Sequence, residues 1–168
     1  MRGLYTFLMC LIAPVALVGL GWRARRRGDA PGRWRERLGL APRIDGGVAA
    51  WVHAVSVGEV RAAAPAIAAL VARHGEDGVL VTTLTTTGSE EVARAWGDRV
   101  RHCYIPFALP PLMARFLKRV QPRVAVIMET ELWPNAYAAL HARGIPLVIA
   151  NARLSPRSVR GYRRVGGF

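Results

Sequence analysis

The stretch Trp51-Val52-His53-Ala54-Val55-Ser56-Val57-Gly58-Glu59-Val60 reads as a buried β-strand that stops at a small-residue turn and enters a helix. Val48 to Val52 is an apolar run without a helical stripe, whereas Ala62 to Val71 is alanine-rich and helix-prone. Between them, Ser56-Val57-Gly58 leaves backbone N–H groups unpaired at a helix start. Ligands of open α/β sheets bind at the carboxyl ends of the strands, and this turn lies at such an end. Glu59 is therefore the first candidate for chemistry. It also serves a structural reading, as a carboxylate that complements the positive end of the helix dipole.

The same alternation continues outward. Strands are expected near Val48–His53, Val79–Thr83, Arg101–Ile105, Val124–Met128 and Pro146–Ala150. Helices are expected at Val60–Arg73, Ser89–Trp96, Pro111–Val120 and Asn135–Ala142, with Pro111 and Gly144 as start and stop signals. Strands separated by single helices imply right-handed crossovers, and so a mostly parallel, Rossmann-like sheet covered on both faces.

Before this domain, Leu4 to Trp22 carries no charge and is about long enough to cross a hydrocarbon core. Arg23, Arg25, Arg26 and Arg27 follow it, against Arg2 alone before it, which places the body of the protein in the cytoplasm. A cleaved signal peptide would show the opposite charge order, so an uncleaved anchor is expected, with shallow insertion as the alternative. The chain thus divides into an anchor (1–22), a basic interfacial connector (23–47) and an α/β domain (48–168). The net charge is +13, from 24 basic and 11 acidic side chains, and Lys118 is the only lysine. Such a balance suits anionic lipid, phosphorylated substrates or nucleic acid. The basic clusters flank the apolar segment instead of interleaving with aromatic residues, which ranks nucleic acid last. Cys10 and Cys103 offer no metal or disulfide spacing.

Polar groups recur at the expected strand ends. Thr82 to Glu90 leads from the second strand into a helix, and Thr85, Thr87, Gly88 and Ser89 can hold a phosphate or sugar hydroxyl there. Thr87 or Ser89 can equally be an ordinary N-cap. No P-loop lysine or G-x-G-x-x-G accompanies them. After the fourth strand comes Met128-Glu129-Thr130-Glu131-Leu132-Trp133-Pro134-Asn135, whose two carboxylates point oppositely if the strand continues. After the fifth, Asn151 offers an amide, and Arg153 a guanidinium that suits an anionic group or, equally, a structural ion pair. His53 reads as a satisfied buried histidine, and no histidine pair has metal-ligand spacing.

Together, His53 to Glu59, Thr82 to Glu90, Met128 to Asn135 and Asn151 to Ser155 resemble the bacterial 3-deoxy-D-manno-octulosonic acid (Kdo) transferases. The resemblance implies the N-terminal half of a glycosyltransferase-B fold, which receives the lipid A precursor, while a C-terminal half absent here would bind the donor CMP-Kdo. It implies an inverting transfer at the cytoplasmic face of the inner membrane, without metal or cofactor, with Glu59 as the catalytic base. Proximity to the helix N-terminus should keep Glu59 ionised. Ser56, Gly58, Thr85, Thr87, Gly88, Ser89, Glu129, Glu131, Asn151 and Arg153 are the expected acceptor-side residues. Thr86 stands where the family commonly has proline, and Tyr104 to Pro110 lacks an aspartate often found there. A separate donor-domain chain or self-association would complete such an enzyme. The alternative is a membrane-anchored lipid A-binding module without transfer activity.

Overall fold

In the computed structural model, which describes residues 2–27, 33–129 and 133–152 (the side chains of 2, 17 and 20–27 apart), five strands form one open sheet. They are β1 (Val48–His53), β2 (Val79–Thr83), β3 (Arg101–Tyr104), β4 (Pro122–Met128) and β5 (Leu147–Ala150). Their order is β3-β2-β1-β4-β5, and every pairing is parallel. The order reverses between β1 and β4, the switch point at which doubly wound sheets open a crevice. His53 stands there, in register with Thr82 on one side and Ile127 on the other.

The alternation of side chains along β1 divides the core. Val52 and Ala54 pack with Val60, Ala63 and Ile67 of α2 (Val57–His74) and Val92 of α3 (Thr86–Trp96). Trp51 faces the other way, against Phe116 of α4 (Pro110–Val120), their rings edge-on at 5.1 Å. Ala136 and Leu140 of α5 (Pro134–His141) complete that face. A fully buried side chain of this kind contributes about 1.5–3 kcal/mol, so burial on both faces makes β1 the centre of the molecule.

The expected elements are present, with shifted ends. α2 starts at Val57 and α3 at Thr86, each three residues before its expected start, so both turns after the strands are tighter. β4 begins at Pro122, because Gln121 adopts a left-handed conformation (φ 41°) that ends α4 and turns straight into the strand. Proline is tolerated at a strand's first residue, where no ladder donor is lost.

Residues 33–44, expected as part of an interfacial connector, pack onto the α/β domain. A 3-10 helix (Arg33–Leu38) lies beside β3, and Glu36 Oε2 accepts the Tyr104 N–H at 2.7 Å, which covers an edge-strand donor. Ala41 and Ile44 enter the core next to α4, and Arg119 Nε donates to the Ala41 carbonyl.

The helix α1 (Arg2–Arg27) contacts the domain through Thr6, whose hydroxyl lies 3.0 Å from Nδ2 of buried Asn135. Ala13 is buried, whereas Leu4, Phe7, Leu11, Val15 and Val18 form an exposed apolar stripe. Among the described residues no helix is long and apolar enough to cross a membrane, so the full crossing expected of residues 1–22 is not supported.

Candidate functional site

Glu59 sits in the first turn of α2 and is 6% exposed. Its Oε2 accepts the Val55 N–H at 2.8 Å and its Oε1 accepts the Ser56 hydroxyl at 3.2 Å. This is a variant of the capping box, in which a glutamate three residues after the N-cap reaches back to orphan donors. These two bonds orient both oxygens of the carboxylate. Ser56 is the N-cap, yet its hydroxyl does not bond the helix's free N–H groups. Gly58 is exposed, and a Cβ added there would meet nothing nearer than the Ser56 hydroxyl at 4.0 Å. Among the described residues, the helix mouth at Gly58 is therefore open to an incoming group.

The turn after β2 is stitched to this one through the Val55 peptide. The Val55 carbonyl accepts from the Leu84 and Thr85 N–H groups at 3.2 Å and from the Thr85 hydroxyl at 3.2 Å. Thr85, not Thr87 or Ser89, is the N-cap of α3, and its Oγ1 accepts the Gly88 N–H at 3.1 Å. Gly88 packs so closely that a Cβ would lie 3.0 Å from Thr85 Oγ1 and 3.3 Å from the Val55 carbonyl oxygen. Two helix N-termini are thus held side by side, joining Ser56, Gly58, Glu59, Thr85 and Gly88. Thr87 is exposed, with its hydroxyl 3.4 Å from that of Thr85.

Ser89 is committed elsewhere, accepting from Arg33 Nη1 at 2.7 Å. Arg33 also bonds Glu36 and lies 2.9 Å from His102 Nδ1, and it stacks over the Tyr104 ring. His102 Nε2 meets the Thr83 hydroxyl at 3.0 Å. Burial and the Arg33 charge together lower the His102 pKa to about 3. The imidazole is therefore neutral, accepting from Arg33 and donating to Thr83. Nothing local in the sequence marks Arg33 for this role, since Ser89 and His102 lie far along the chain.

Across the switch point, Glu129 follows β4 with φ 58° and donates its N–H to the Ala150 carbonyl at 2.7 Å. Asn151 follows β5 with φ 55°. Left-handed non-glycine residues are uncommon and cluster where a site constrains the backbone. Both are half-buried or exposed ends of neighbouring strands. Glu131 and Arg153 lie outside the described residues.

His53, expected to be satisfied, is only half so. Its Nδ1 lies 2.9 Å from the Thr82 hydroxyl, which accepts from Trp51 Nε1 at 2.8 Å, and 3.2 Å from the Thr82 backbone carbonyl oxygen. Its Nε2 is buried without a hydrogen-bond partner among the described residues, and its ring stands roughly perpendicular to that of Trp133, centroids 5.5 Å apart. Burial lowers its pKa to about 4. Among the described residues no group of three His, Cys, Asp or Glu side chains is placed to hold a metal ion.

Fold and site define an open, doubly wound α/β domain with a helix-borne carboxylate beside the strand-order reversal. The family model described as 3-deoxy-D-manno-octulosonic-acid transferase (kdotransferase) matches residues 32–168, and the chain belongs to that family. It is 40% identical over 98% of its length to the 3-deoxy-D-manno-octulosonic acid transferase of Haemophilus influenzae. The corresponding protein of Bordetella pertussis is 39% identical over 95% of this chain. A probable mitochondrial 3-deoxy-D-manno-octulosonic acid transferase of Arabidopsis thaliana is 34% identical, also over 95%. The chain spans 39% of the length of both bacterial relatives.

Proposed function

We propose that this chain is the acceptor half of a Kdo transferase, which receives a lipid A precursor and uses Glu59 as the base. The observation that carries this reading is the Glu59 carboxylate, oriented by Val55 and Ser56 at the switch point, beside an open helix mouth. In the transfer, an acceptor hydroxyl attacks the anomeric carbon of Kdo. Glu59 takes the hydroxyl proton as the new C–O bond forms, and CMP departs with the electrons of the broken C–O bond. The leaving group carries a single phosphate, so the reading assigns no metal or cofactor to this step. Glu129 and Asn151 border the cleft from the other side of the switch point, and the paired N-termini of α2 and α3 favour the acceptor's anionic groups.

Association with the cytoplasmic face of the bacterial inner membrane belongs to the same proposal. The exposed stripe of α1 supplies an apolar face, and Arg23 to Arg27 follow it in sequence, where guanidinium groups suit anionic headgroups. A half of this kind would work with a donor-binding half.

The test is Kdo transfer from CMP-Kdo to a lipid A precursor in detergent, comparing the wild-type chain with Glu59→Gln. Wild-type transfer that falls about a hundred- to ten-thousand-fold in Glu59→Gln supports the base. Equal transfer by both proteins contradicts it. Precursor binding without transfer corresponds to an acceptor module that needs its donor half.

A further inference from the structure

Arg37 is 6% exposed, and a buried guanidinium is costly unless its charge and donors are used. It lies in the 3-10 helix (Arg33–Leu38), which is fixed twice to the end of β3 and the loop beyond it. Glu36 Oε2 accepts the Tyr104 N–H at 2.7 Å, and the Arg37 carbonyl accepts the Phe107 N–H at 3.0 Å. The side chain then reaches sideways. Its guanidinium lies over the Tyr104 ring, 4.2 Å from the centroid, and Nη2 donates to the Leu84 carbonyl at 2.7 Å. Leu84 stands between the end of β2 and Thr85, the N-cap of α3. The peptide that joins Leu84 to Thr85 passes the contact on, because its N–H donates to the Val55 carbonyl at 3.2 Å, beside the Leu84 N–H at the same distance. Val55 in turn donates its N–H to Glu59 Oε2 at 2.8 Å. Every direction in this series is set by the groups themselves, since a guanidinium and a peptide N–H can only donate.

We infer that Arg37 is a positioning residue, a lateral brace across the carboxyl ends of β3, β2 and β1 that fixes Val55, against which the Glu59 carboxylate is held. A planar guanidinium stacked on an aromatic face has little freedom to follow a moving carbonyl, so it sets the place of the Leu84–Thr85 peptide. Arg119 anchors the same segment by donating to the Ala41 carbonyl, but it lies just before β4 begins, at the amino ends of the strands and away from both turns. The effect of Arg37 on transfer rests on the proposal above that Glu59 is the base; the series of contacts does not.

The experiment uses the full chain with Arg37→Met, Arg37→Lys and, as a control on the same segment, Arg119→Met. Methionine keeps an apolar stem and removes the charge and its donors, whereas lysine keeps the charge without the planar fork. Nitrogen-15 correlation spectra read the Val55 amide, which is bonded to the carboxylate, and Glu59→Gln identifies its response. Arg37→Met should move the Thr85 and Val55 amide resonances, and Arg37→Lys should move them in the same direction by less. Arg119→Met should leave both in place. On a Glu59→Gln background, Arg37→Met should shift the Val55 amide less than it does in wild type, as coupled neighbours are non-additive. In transfer, Arg37→Met should lower kcat about ten- to a hundredfold with KM within about twofold, the pattern of a displaced reacting group. Unmoved Thr85 and Val55 resonances in either folded Arg37 variant, equal displacement by Arg119→Met, or full additivity with Glu59→Gln would overturn the inference. Displaced resonances with kcat unchanged would uphold the brace and overturn Glu59 as the base instead. The spectra decide the role of Arg37 whether or not the chain turns over alone.

Discussion

At the scale of single residues, the protein keeps two histidines uncharged and uses them as fixed hydrogen-bonding parts. His53 is held near a pKa of about 4 by burial, and His102 near about 3 by burial and the Arg33 guanidinium. In the unfolded chain both would titrate near 6.5. Above that pH neither binds a proton in either state and neither affects stability. As pH falls below 6.5 the unfolded state gains protons that the folded state refuses, so stability falls by about 1.4 kcal/mol per pH unit for each histidine. Between pH 6.5 and 4.5 the urea midpoint should therefore drop steeply in wild type, and less steeply in His102→Gln. Parallel slopes for the two proteins would show that His102 does not resist charging. Glu91 acts in a lower window. Arg94 and Arg61 hold its pKa down to about 2, so its contribution is present above 4.5 and is lost as pH falls toward 2.

At the scale of elements, the site depends on two turns sharing one peptide. Thr85 both caps α3 and donates to the Val55 carbonyl, while Val55's own N–H holds Glu59. Thr85→Ala removes the cap and one of these stitches, and should destabilise the protein by about 1–2 kcal/mol in chemical denaturation. A change within about 0.3 kcal/mol would mean that the two turns hold their places without it. The order of these elements was legible in the sequence because each strand is an apolar run closed by small residues or turn signals. Glu59 was legible for the same reason, as a carboxylate placed just after such a turn. The α3 cap was not, since Thr82-Thr83-Leu84-Thr85-Thr86-Thr87 offers several equivalent hydroxyls and only the fold chooses Thr85. Nor was the docking of Arg33 on Ser89 and His102, or of Trp133 on His53, because those contacts join segments far apart in the chain.

At the scale of the whole molecule, a two-faced α/β domain carries its candidate site on one edge and an apolar helix against α5. The stripe of Leu4, Phe7, Leu11, Val15 and Val18 faces away from the domain, so its function is best sought in a lipid surface. Vesicles with anionic headgroups should retain the chain in flotation, whereas Phe7→Ser with Leu11→Ser should weaken retention by about tenfold or more, given about 1.5–3 kcal/mol per large apolar side chain. Undiminished retention of the double variant would move membrane contact elsewhere. The central claim, that this domain holds a lipid A precursor with Glu59 at the reacting hydroxyl, is tested most directly by measuring binding of the purified chain to that precursor, alongside Glu59→Gln. The account predicts saturable binding that Glu59→Gln retains within a few-fold, since glutamine matches glutamate in shape and only the proton acceptor is lost. A folded chain that fails to bind the precursor would contradict it.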